Sequence, residues 1–383
     1  MQKMKGNTIA KTLTGGLLMV SLVACGSGQQ GETPQANPSA PPAQQNSSGD
    51  PEWDQIVEAA KKEGEVVIFG QPTVGREDIF KQFEKAYPEI KMKYSGMRPN
   101  ESGPRIVAEQ QQDRYLVDLY FEVPPDFLPR EAFSPVLDYF VRPESKDDNN
   151  WVGGFQKGFE LVSNADNVYP FAVQVIPSIH VNNDVIPKGE INNYDDLLDP
   201  KWKGKIIIGS FDRTAQGSGA LNGLLMMKGE DYVKKLIEEQ ETQYRIFDNR
   251  QILENFATGK FPIVIGPTPA QVNEFVTQGV IKEVTKIEDE VNTAVNPANL
   301  SVLKNPPHPN ATKVFIDWFV SQEAQSYWVN HTDGFISRRA GAENTNPNVS
   351  GWEKVDPQHS NHTDEGRASH EWVVEYGKQL MSK

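Results

Sequence analysis

Cysteine and basic residues are the scarce components of this sequence. Cys25 is the only cysteine among 383 residues, so the chain cannot form a disulfide framework, a CxxC redox pair or a zinc site with several cysteine ligands. Lys and Arg number 38 against 52 Asp and Glu, which gives a net charge of −14. Nucleic-acid-binding domains need a basic surface, so this charge balance argues against a nucleic-acid partner.

Long apolar runs are also missing beyond the N-terminus. None approaches the roughly 20 residues that a membrane-spanning helix requires. The length of the chain is sufficient for two domains, each with its own hydrophobic core. The composition therefore predicts an acidic two-domain body, and any membrane attachment must come from the N-terminal end.

The N-terminal end has the features of a secretory signal. Lysines at positions 3, 5 and 11 precede a mostly apolar run at 17–24, which stops at Cys25. A positive start, a short apolar stretch and a small residue before the cleavage point define such a signal. Residues 22–25, LVAC, also resemble the bacterial lipobox, which implies removal of residues 1–24 and acylation of Cys25. The alternative is an ordinary signal peptide in which the cysteine is incidental.

Residues 25–50 follow as a predicted tether behind the acylated cysteine. The segment after Cys25 holds four prolines and many Gln, Ser and Gly residues, with no large apolar side chain. Such a composition cannot bury enough surface to offset its ordering entropy. We therefore expect a protein that is held at the extracytoplasmic face of the cell membrane by its lipid anchor alone.

From residue 51 onward, helix-like and strand-like patterns alternate. Apolar positions at helical spacing predict helices, and short apolar runs predict strands. The predicted helices lie at 53–64, 79–86, 106–115, 217–228, 231–239, 252–258, 270–277, 311–320, 322–329 and 371–381. The predicted strands lie at 66–69, 90–94, 117–121, 205–208, 261–265, 280–284 and 300–303. This alternation implies parallel sheets with crossover helices, whose ligands sit beyond the carboxyl ends of the strands.

Three motifs resemble the solute-binding proteins of ABC importers. They are AAKKEGEVVI at 59–68, NYDDLLDPKWKGKI at 193–206, and PPHPNATKVFIDWF at 306–319, the last followed by SQEAQ. They occur in the order that the family has, and the likeness runs from about residue 52 to 340. The branch of the family that they resemble includes ferric-iron, polyamine and thiamine binders.

The resemblance implies a fold and a mode of action. The fold is α/β, with two Rossmann-like lobes whose mixed, mostly parallel sheets are joined by a hinge, as in type 2 periplasmic binding proteins. Lobe 1 is expected to comprise 51–170 and 297–345, lobe 2 to comprise 171–296, and 346–383 to form a C-terminal tail and helix. The implied function is to capture a small solute between the lobes and deliver it to an ABC transporter permease. We expect a monomer with no cofactor and no metal site.

The segment 210–219 is the first candidate ligand loop. It joins a predicted strand to a predicted helix, and exposed amides at a helix N-terminus, flanked by small residues, favour anions. Ser218 adds a hydroxyl, Arg213 adds a positive charge, and Asp212 adds a counter-charge or a cation ligand. The alternative is plain capping and turn chemistry, with Ser218 as the N-cap.

Loops after the other predicted strands supply further candidate ligand-binding residues. Gln71 and Thr73 follow the first strand, Arg98 the second and Glu122 the third, while Thr268 opens a helix of lobe 2. The planar guanidinium of Arg98 suits an anionic ligand. Each loop can instead be a simple turn, because Gly and Pro punctuate any strand end. The cargo that we expect first is a small organic anion, such as a carboxylate, a phosphonate or a sugar phosphate.

Ferric iron or another metal is the alternative cargo. Iron binders of the resembled branch commonly carry a histidine after the first strand and a tyrosine pair in the second lobe. In this chain Pro72 stands in the histidine position, and no two tyrosines are adjacent. We therefore do not expect a phenolate iron site, although an oxygen site made by Tyr120, Glu122 and Asp212 stays open.

Histidines give weaker signals. His359, His362 and His370 form a loose cluster, and zinc can take three histidine ligands, but the surrounding segment is polar and we expect it to be solvated. His180 has apolar neighbours and is expected to be a hydrogen-bonded core residue.

Enzyme signatures are missing from the sequence. It has no GxSxG elbow, no P-loop and no HExxH motif, which are the patterns of common hydrolytic and nucleotide-dependent sites. We therefore predict a binding protein and no enzyme. A lipoprotein that presents its ligand to a receptor kinase is the alternative with the same fold, and a secreted enzyme on an α/β body is the alternative outside it.

Overall fold

The computed structural model of the protein describes residues 50–71, 76–122, 127–163, 166–288, 293–332, 334–345, 352 and 355–383. The predicted signal peptide, Cys25 and the tether up to residue 49 lie outside the described residues, as does Thr73. Within the described ranges, no helix combines the length and the apolar character needed to cross a membrane.

Eleven α-helices and eleven strands form along the described residues. The helices are α1 (Pro51–Glu63), α2 (Arg76–Ala86), α3 (Pro99–Gln110), α4 (Pro143–Lys146), α5 (Gln216–Lys228), α6 (Glu230–Lys234), α7 (Asn249–Ala257), α8 (Pro269–Thr277), α9 (Pro309–Phe319), α10 (Gln322–Asn330) and α11 (Asp364–Met381). The strands are β1 (Glu65–Gly70), β2 (Lys91–Gly96), β3 (Leu119–Phe121), β4 (Val168–Ile176), β5 (Ile179–Asn182), β6 (Ile206–Ile208), β7 (Ile263–Ile265), β8 (Val284–Ile287), β9 (Thr293–Val302), β10 (Phe335–Ser337) and β11 (Val355–Ser360).

The first helix and strand show how local sequence sets the boundaries. The Asp50 side chain accepts hydrogen bonds from the backbone N–H groups of Glu52 and Trp53, which caps the start of α1. Gly64 ends the helix with a φ of 76°, a left-handed conformation that glycine adopts without a steric cost. β1 begins at the next residue, so the observed helix end and strand start each lie within one residue of the predicted positions.

A larger sheet has the strand order β10-β4-β9-β3-β1-β2, and β11 also pairs with β9. β1 is parallel to β2 and β3, whereas β3, β4 and β10 enter antiparallel pairs. Its core is rich in aromatic rings: Phe121 stacks on Phe171 with ring centroids 5.5 Å apart, and Phe171 meets Trp328 of α10 edge-on at 5.0 Å. Helices α1, α2, α9 and α10 contribute to this core.

A smaller sheet has the order β6-β7-β5-β8. The predicted α/β class with two mixed sheets is confirmed. Parallel pairing is confined to β1–β2, β1–β3, β6–β7 and β9–β11, so antiparallel pairs outnumber parallel ones among the described strands, contrary to the expected mostly parallel sheets. The main reason is the long antiparallel pair of β4 and β9, of which only the end near residue 300 was predicted as strand.

Along the described part of the chain, three connections lead from one sheet to the other. β4 runs into β5 through Pro177 and Ser178, the chain returns from β8 to β9, and β11 leads through residues 361–363 into α11. The expected lobe boundaries at 170/171 and 296/297 lie inside β4 and β9, so residues 171–176 and 293–296 belong to strands of the larger sheet. α11 packs on α5 and buries Val373, Tyr376 and Leu380 in the core of the smaller sheet. This helix is therefore part of that core.

Candidate functional site

A cavity of about 510 Å³ opens where the chain passes between the two sheets. This volume lies within the range of roughly 300–1,000 Å³ that is usual for small-molecule sites. The lining residues come from distant parts of the sequence: Phe127, Gln174, Val175, Ile176, Ser178, Thr214, Ala215, Gln216, Gly219, Ala220, Gly266, Thr268, Asn296, Asn361, His362, Arg367, His370 and Glu371.

The start of α5 forms one wall of the cavity. Gly217 lets this helix approach the end of β6 closely, since a Cβ at that position would lie 2.1 Å from the Gly209 carbonyl oxygen. The Ser218 hydroxyl accepts a hydrogen bond from the Ala215 amide at 2.9 Å and lies at the same distance from the Ala215 carbonyl oxygen. The small residues thus fix the helix start and leave the side chains of Thr214 and Gln216 at the cavity.

Residues 361–371, which we call the C-terminal wall, form another side. His362 is buried, and its Nδ1 lies 2.8 Å from Asn299 Nδ2. Asn222 of α5 donates to Asn361 Oδ1 at 2.6 Å and to the Gly366 carbonyl oxygen at 2.9 Å. The expectation that the segment around His362 is solvated is therefore wrong for Ser360 and His362, which are buried, whereas Gln358, Asp364 and Glu365 are exposed as expected.

The two histidines of the C-terminal wall are neutral at physiological pH. Burial lowers the pKa of His362 to about 3, and burial also lowers the pKa of His370. Arg367 carries the positive charge of this wall and forms an ion pair with Asp364, while Glu371 is the only carboxylate among the lining residues. The cavity thus combines neutral amides, hydroxyls and imidazoles with one cation and one anion.

A sequence model of the bacterial extracellular solute-binding proteins matches residues 78–357 of the chain. The chain belongs to this family. Iron uptake protein A1 from Synechocystis is 26% identical to this solute-binding protein over 161 residues, a match that covers 39% of this chain and 44% of the relative. The match therefore spans less than half of that relative's length.

The chain also matches solved structures with the same fold, and each match covers nearly the whole of the chain in that structure. A Trichodesmium protein, IdiA or FutA, in complex with iron and citrate ligands has a TM-score of 0.64 at 18% identity, covering 83% of this chain and 99% of its own. AfuA from Actinobacillus pleuropneumoniae with fructose-6-phosphate bound has a TM-score of 0.55 at 18% identity, covering 82% and 97%. At these identities the likeness shows the fold, which is that of type 2 periplasmic binding proteins.

Two of the sequence-predicted site residues lie at or beside the cavity of this solute-binding protein. Thr268 lines it and caps α8, where the Thr268 amide donates to Gln271 Oε1 at 2.9 Å. Ser218 is buried directly behind the lining, and its hydroxyl lies 2.9 Å from Nε2 of the lining residue His370. Ser218 lies inside the first turn of α5, and Ala215 holds the N-cap position.

Asp212 and Arg213 lie on another side of the α5 start. They form an ion pair at 3.3 Å, and the Arg213 guanidinium lies 5.2 Å from the centre of the Phe247 ring. Arg213 lines a neighbouring cavity of about 370 Å³, which shares Ala215 and Gln216 with the first cavity. The two cavities are therefore adjacent, with the helix start between them.

The predicted site residues on the side of the larger sheet that the structure describes, Gln71, Arg98 and Glu122, do not line the 510 Å³ cavity. The Gln71 carbonyl oxygen accepts a hydrogen bond from the Tyr94 hydroxyl. Arg98 is exposed at the N-cap of α3, and its side chain makes no hydrogen bond to the other described residues. Glu122 is buried, and its Oε1 accepts a hydrogen bond from the Trp328 indole at 2.9 Å.

The structure does not bring the alternative oxygen ligands together. The Tyr120 hydroxyl lies 2.8 Å from Ser102 Oγ, whereas Asp212 pairs with Arg213 on the smaller sheet. The described residues contain no group of three or more His, Cys, Asp or Glu side chains arranged to hold a metal ion. His180 is buried as predicted, yet its Nδ1 has no hydrogen-bond partner within the described ranges.

Sequence reasoning missed most of the lining residues. Gln174 and Asn296 come from β4 and β9, whose extent was not predicted, and Arg367 comes from a helix start that was predicted too late in the chain. One available signal was Thr363, followed by Asp364 and Glu365, which is a typical N-cap with acidic first-turn residues.

Proposed function

We propose that this solute-binding protein captures a small organic anion in the 510 Å³ cavity and delivers it to the permease of an ABC transporter. The supporting observation is the lining, in which amide and hydroxyl groups surround one guanidinium and two neutral imidazoles. Hydrogen bonds that involve a charged group are the stronger ones, and a guanidinium suits carboxylate and phosphate oxygens. The family is one of binding proteins, which supports the absence of an enzymatic role.

A second candidate cargo is ferric iron, favoured by the names of the Synechocystis relative and of the Trichodesmium structure. A bare ferric ion carries three positive charges and needs several anionic oxygen ligands to offset them. The cavity lining offers Glu371 alone and no tyrosine. If iron is the cargo, the donor set of this cavity suits an anionic chelate of iron better than the bare ion.

The proposed mechanism uses two closing lobes, lobe 1 with residues 51–170 and 297–345 around the larger sheet and lobe 2 with residues 171–296 around the smaller sheet. The ends of β4 and β9 at 171–176 and 293–296 connect the two lobes. A ligand that contacts both lobes in the closed state shifts the population toward that state. Gln71, Thr73, Arg98, Glu122, Asp212, Arg213, Ser218 and Thr268 remain proposed ligand-binding positions. Thr268 has the most direct support, because it lines the cavity.

We further propose that residues 1–24 are removed, that Cys25 is acylated, and that the protein acts as a monomer at the extracytoplasmic face of the membrane. The family name, which describes extracellular proteins, supports this side of the membrane. Radiolabelled palmitate should label the wild-type protein in cells. Cys25→Ser should abolish that labelling and release the protein into the soluble fraction, and unchanged labelling would exclude this anchor.

A thermal-shift experiment on the purified protein tests the cargo. Citrate, a hexose phosphate, a ferric salt and ferric citrate are compared at matched concentrations. A ligand present at a hundred times its dissociation constant stabilises the folded state by about 2.7 kcal/mol. We expect a rise in Tm with an organic anion or with its iron chelate. A rise with the ferric salt alone, and with none of the anions, would contradict the proposal.

A further inference from the structure

The C-terminal wall lies outside the region that the family model matches. The match ends at residue 357, whereas the wall begins at Asn361. Five of the cavity-lining residues nevertheless come from it: Asn361, His362, Arg367, His370 and Glu371. This segment therefore supplies part of the cavity surface that the matched region does not.

Hydrogen bonds within the protein hold the wall against α5. Asn222 ties Asn361 and Gly366 to α5, and His370 Nε2 lies 2.9 Å from the Ser218 hydroxyl at the start of that helix. A Cβ on Gly366 would lie 1.9 Å from the Ser360 carbonyl oxygen, so the turn into α11 is packed without spare room. Rigid positioning of this kind lowers the entropic cost of binding.

Each imidazole of the wall has one bonded and one unpartnered nitrogen. Asn299 Nδ2 donates to His362 Nδ1, which places the proton of the neutral ring on Nε2. His362 Nε2 and His370 Nδ1 have no hydrogen-bond partner among the described residues, and both residues line the cavity. His362 thus offers a neutral N–H donor on a side chain that is otherwise buried.

Arg367 supplies the charge beside this donor. Its Nη1 donates to the His362 carbonyl oxygen at 3.3 Å, and its Nη2 pairs with Asp364. The Arg367 side chain is 32% exposed, whereas Asp364 is 71% exposed, so solvent weakens this ion pair. A guanidinium with five donors can keep these contacts and still bind an oxyanion.

We propose that the C-terminal wall is the oxyanion subsite of the cavity, in which Arg367 and His362 bind the carboxylate or phosphate group of the solute. This inference rests on the proposed function. It adds that recognition of the anionic group depends on a segment outside the matched family region.

Isothermal titration calorimetry on the purified protein tests this subsite with citrate, a hexose phosphate and the corresponding uncharged hexose. Arg367→Gln should weaken binding of the anions by about 10- to 100-fold, the range expected for lost charged hydrogen bonds. His362→Gln is a second variant and should weaken it in the same direction. The uncharged hexose should bind the wild-type protein far more weakly than its phosphate.

Three further variants separate ligand binding from helix stability. Lys378→Gln removes an exposed cation from the same helix, away from the cavity, and should leave the affinity unchanged. Arg213→Gln removes the cation of the neighbouring cavity and should weaken anion binding much less than Arg367→Gln does. Asp364→Asn removes the ion-pair partner of Arg367 and should leave the affinity unchanged or increase it.

Several results would overturn the inference. If Asp364→Asn weakens binding as much as Arg367→Gln, then Arg367 acts only through that ion pair. If Arg213→Gln weakens binding and Arg367→Gln does not, the anion binds in the neighbouring cavity. Both of these results leave the proposed function intact. If the wild-type protein binds neither anion, the proposed function and the subsite fail together.

Discussion

Trp328 donates its indole N–H to Glu122 Oε1 at 2.9 Å, which joins α10 to the end of β3. Glu122 is 8% exposed and Trp328 is 1% exposed, so this hydrogen bond lies inside the core of the larger sheet. A residue that sequence reasoning proposes as a ligand contact is thereby also a structural link between a strand and a helix.

Trp328→Phe should destabilise the protein because it leaves Glu122 without its hydrogen bond from the indole. Phenylalanine keeps much of the ring but removes the donor, and leaving a buried acceptor without its hydrogen bond costs about 1–3 kcal/mol. Urea unfolding measures the change. Trp318→Phe is the matched control, because Trp318 packs on Phe83 and its indole N–H makes no hydrogen bond within the described residues. Equal losses in the two variants would show that ring size, and not the hydrogen bond, is responsible.

Gly217 and Gly219 form a matched pair in the first turns of α5. Gly217→Ala should destabilise the protein by about 1–3 kcal/mol, because its Cβ would overlap backbone oxygens of Gly209 and Ser210. Gly219→Ala should stabilise it by about 0.5–1 kcal/mol, since the closest atom to its Cβ would be Asn361 Nδ2 at 4.0 Å.

Thermal or urea unfolding of both α5 variants gives the comparison. Shifts of the same sign in the two proteins would contradict the close approach between α5 and β6. Gly219 also lines the cavity, so the affinity for citrate is measured in parallel to separate stability from ligand binding.

Asp118 is a buried side chain whose carboxylate accepts three hydrogen bonds. Its two oxygens accept hydrogen bonds from the Val67 amide at 2.8 Å, the His308 amide at 2.7 Å and His308 Nδ1 at 2.9 Å. Asp118→Asn replaces one acceptor oxygen with a donor that faces these N–H groups. We expect a loss of about 1–3 kcal/mol in the free energy of unfolding. Asp138→Asn on the surface is the control, and a similar loss there would refute the assignment to buried hydrogen bonds.

The stability of the protein should fall in mild acid because of two buried histidines. Burial lowers the pKa of His180 and of His362 from 6.5 to about 3. Below pH 6.5 the unfolded chain binds protons that the folded chain cannot bind. The stabilisation is therefore complete above pH 6.5 and declines as the pH falls toward about 3.

The slope of this decline is at most about 1.4 kcal/mol per pH unit for each histidine. His180→Gln and His362→Gln should each reduce the slope of unfolding free energy against pH by about that amount. Urea titrations between about pH 7 and pH 5 measure the slope. A slope that is unchanged in both variants would mean that these rings already carry a proton in the folded protein.

The fold could be predicted well where local signals and tertiary structure agree. α1 with its Gly64 end, β1, α9 and α10 all lie close to their expected positions. β4 and β9 were largely missed because each contains a proline, Pro170 and Pro297, which is a signal against a strand interior. The structure accommodates Pro170 with a register shift between Pro170 and Ala172, where β4 pairs with β9.

The candidate site was less predictable than the fold. Its lining residues lie at 174–178, 214–220, 266–268, 296 and 361–371. They meet only because β4 pairs with β9 and α11 packs on α5, and these contacts are long-range in sequence. Loop chemistry at single strand ends identified Thr268 and the start of α5, but it gave no information about which loops face each other.

The pairing of β11 with β9 has a mechanical consequence. Near the crossings, β9 is hydrogen-bonded to β4 on one edge and to β11 on the other. β11 belongs to the larger sheet while α11 is packed into the core of the smaller one. Residues 361–363 therefore connect a strand of one sheet to a helix packed on the other, so a change in the angle between the sheets would act on the backbone that carries Asn361 and His362 into the cavity.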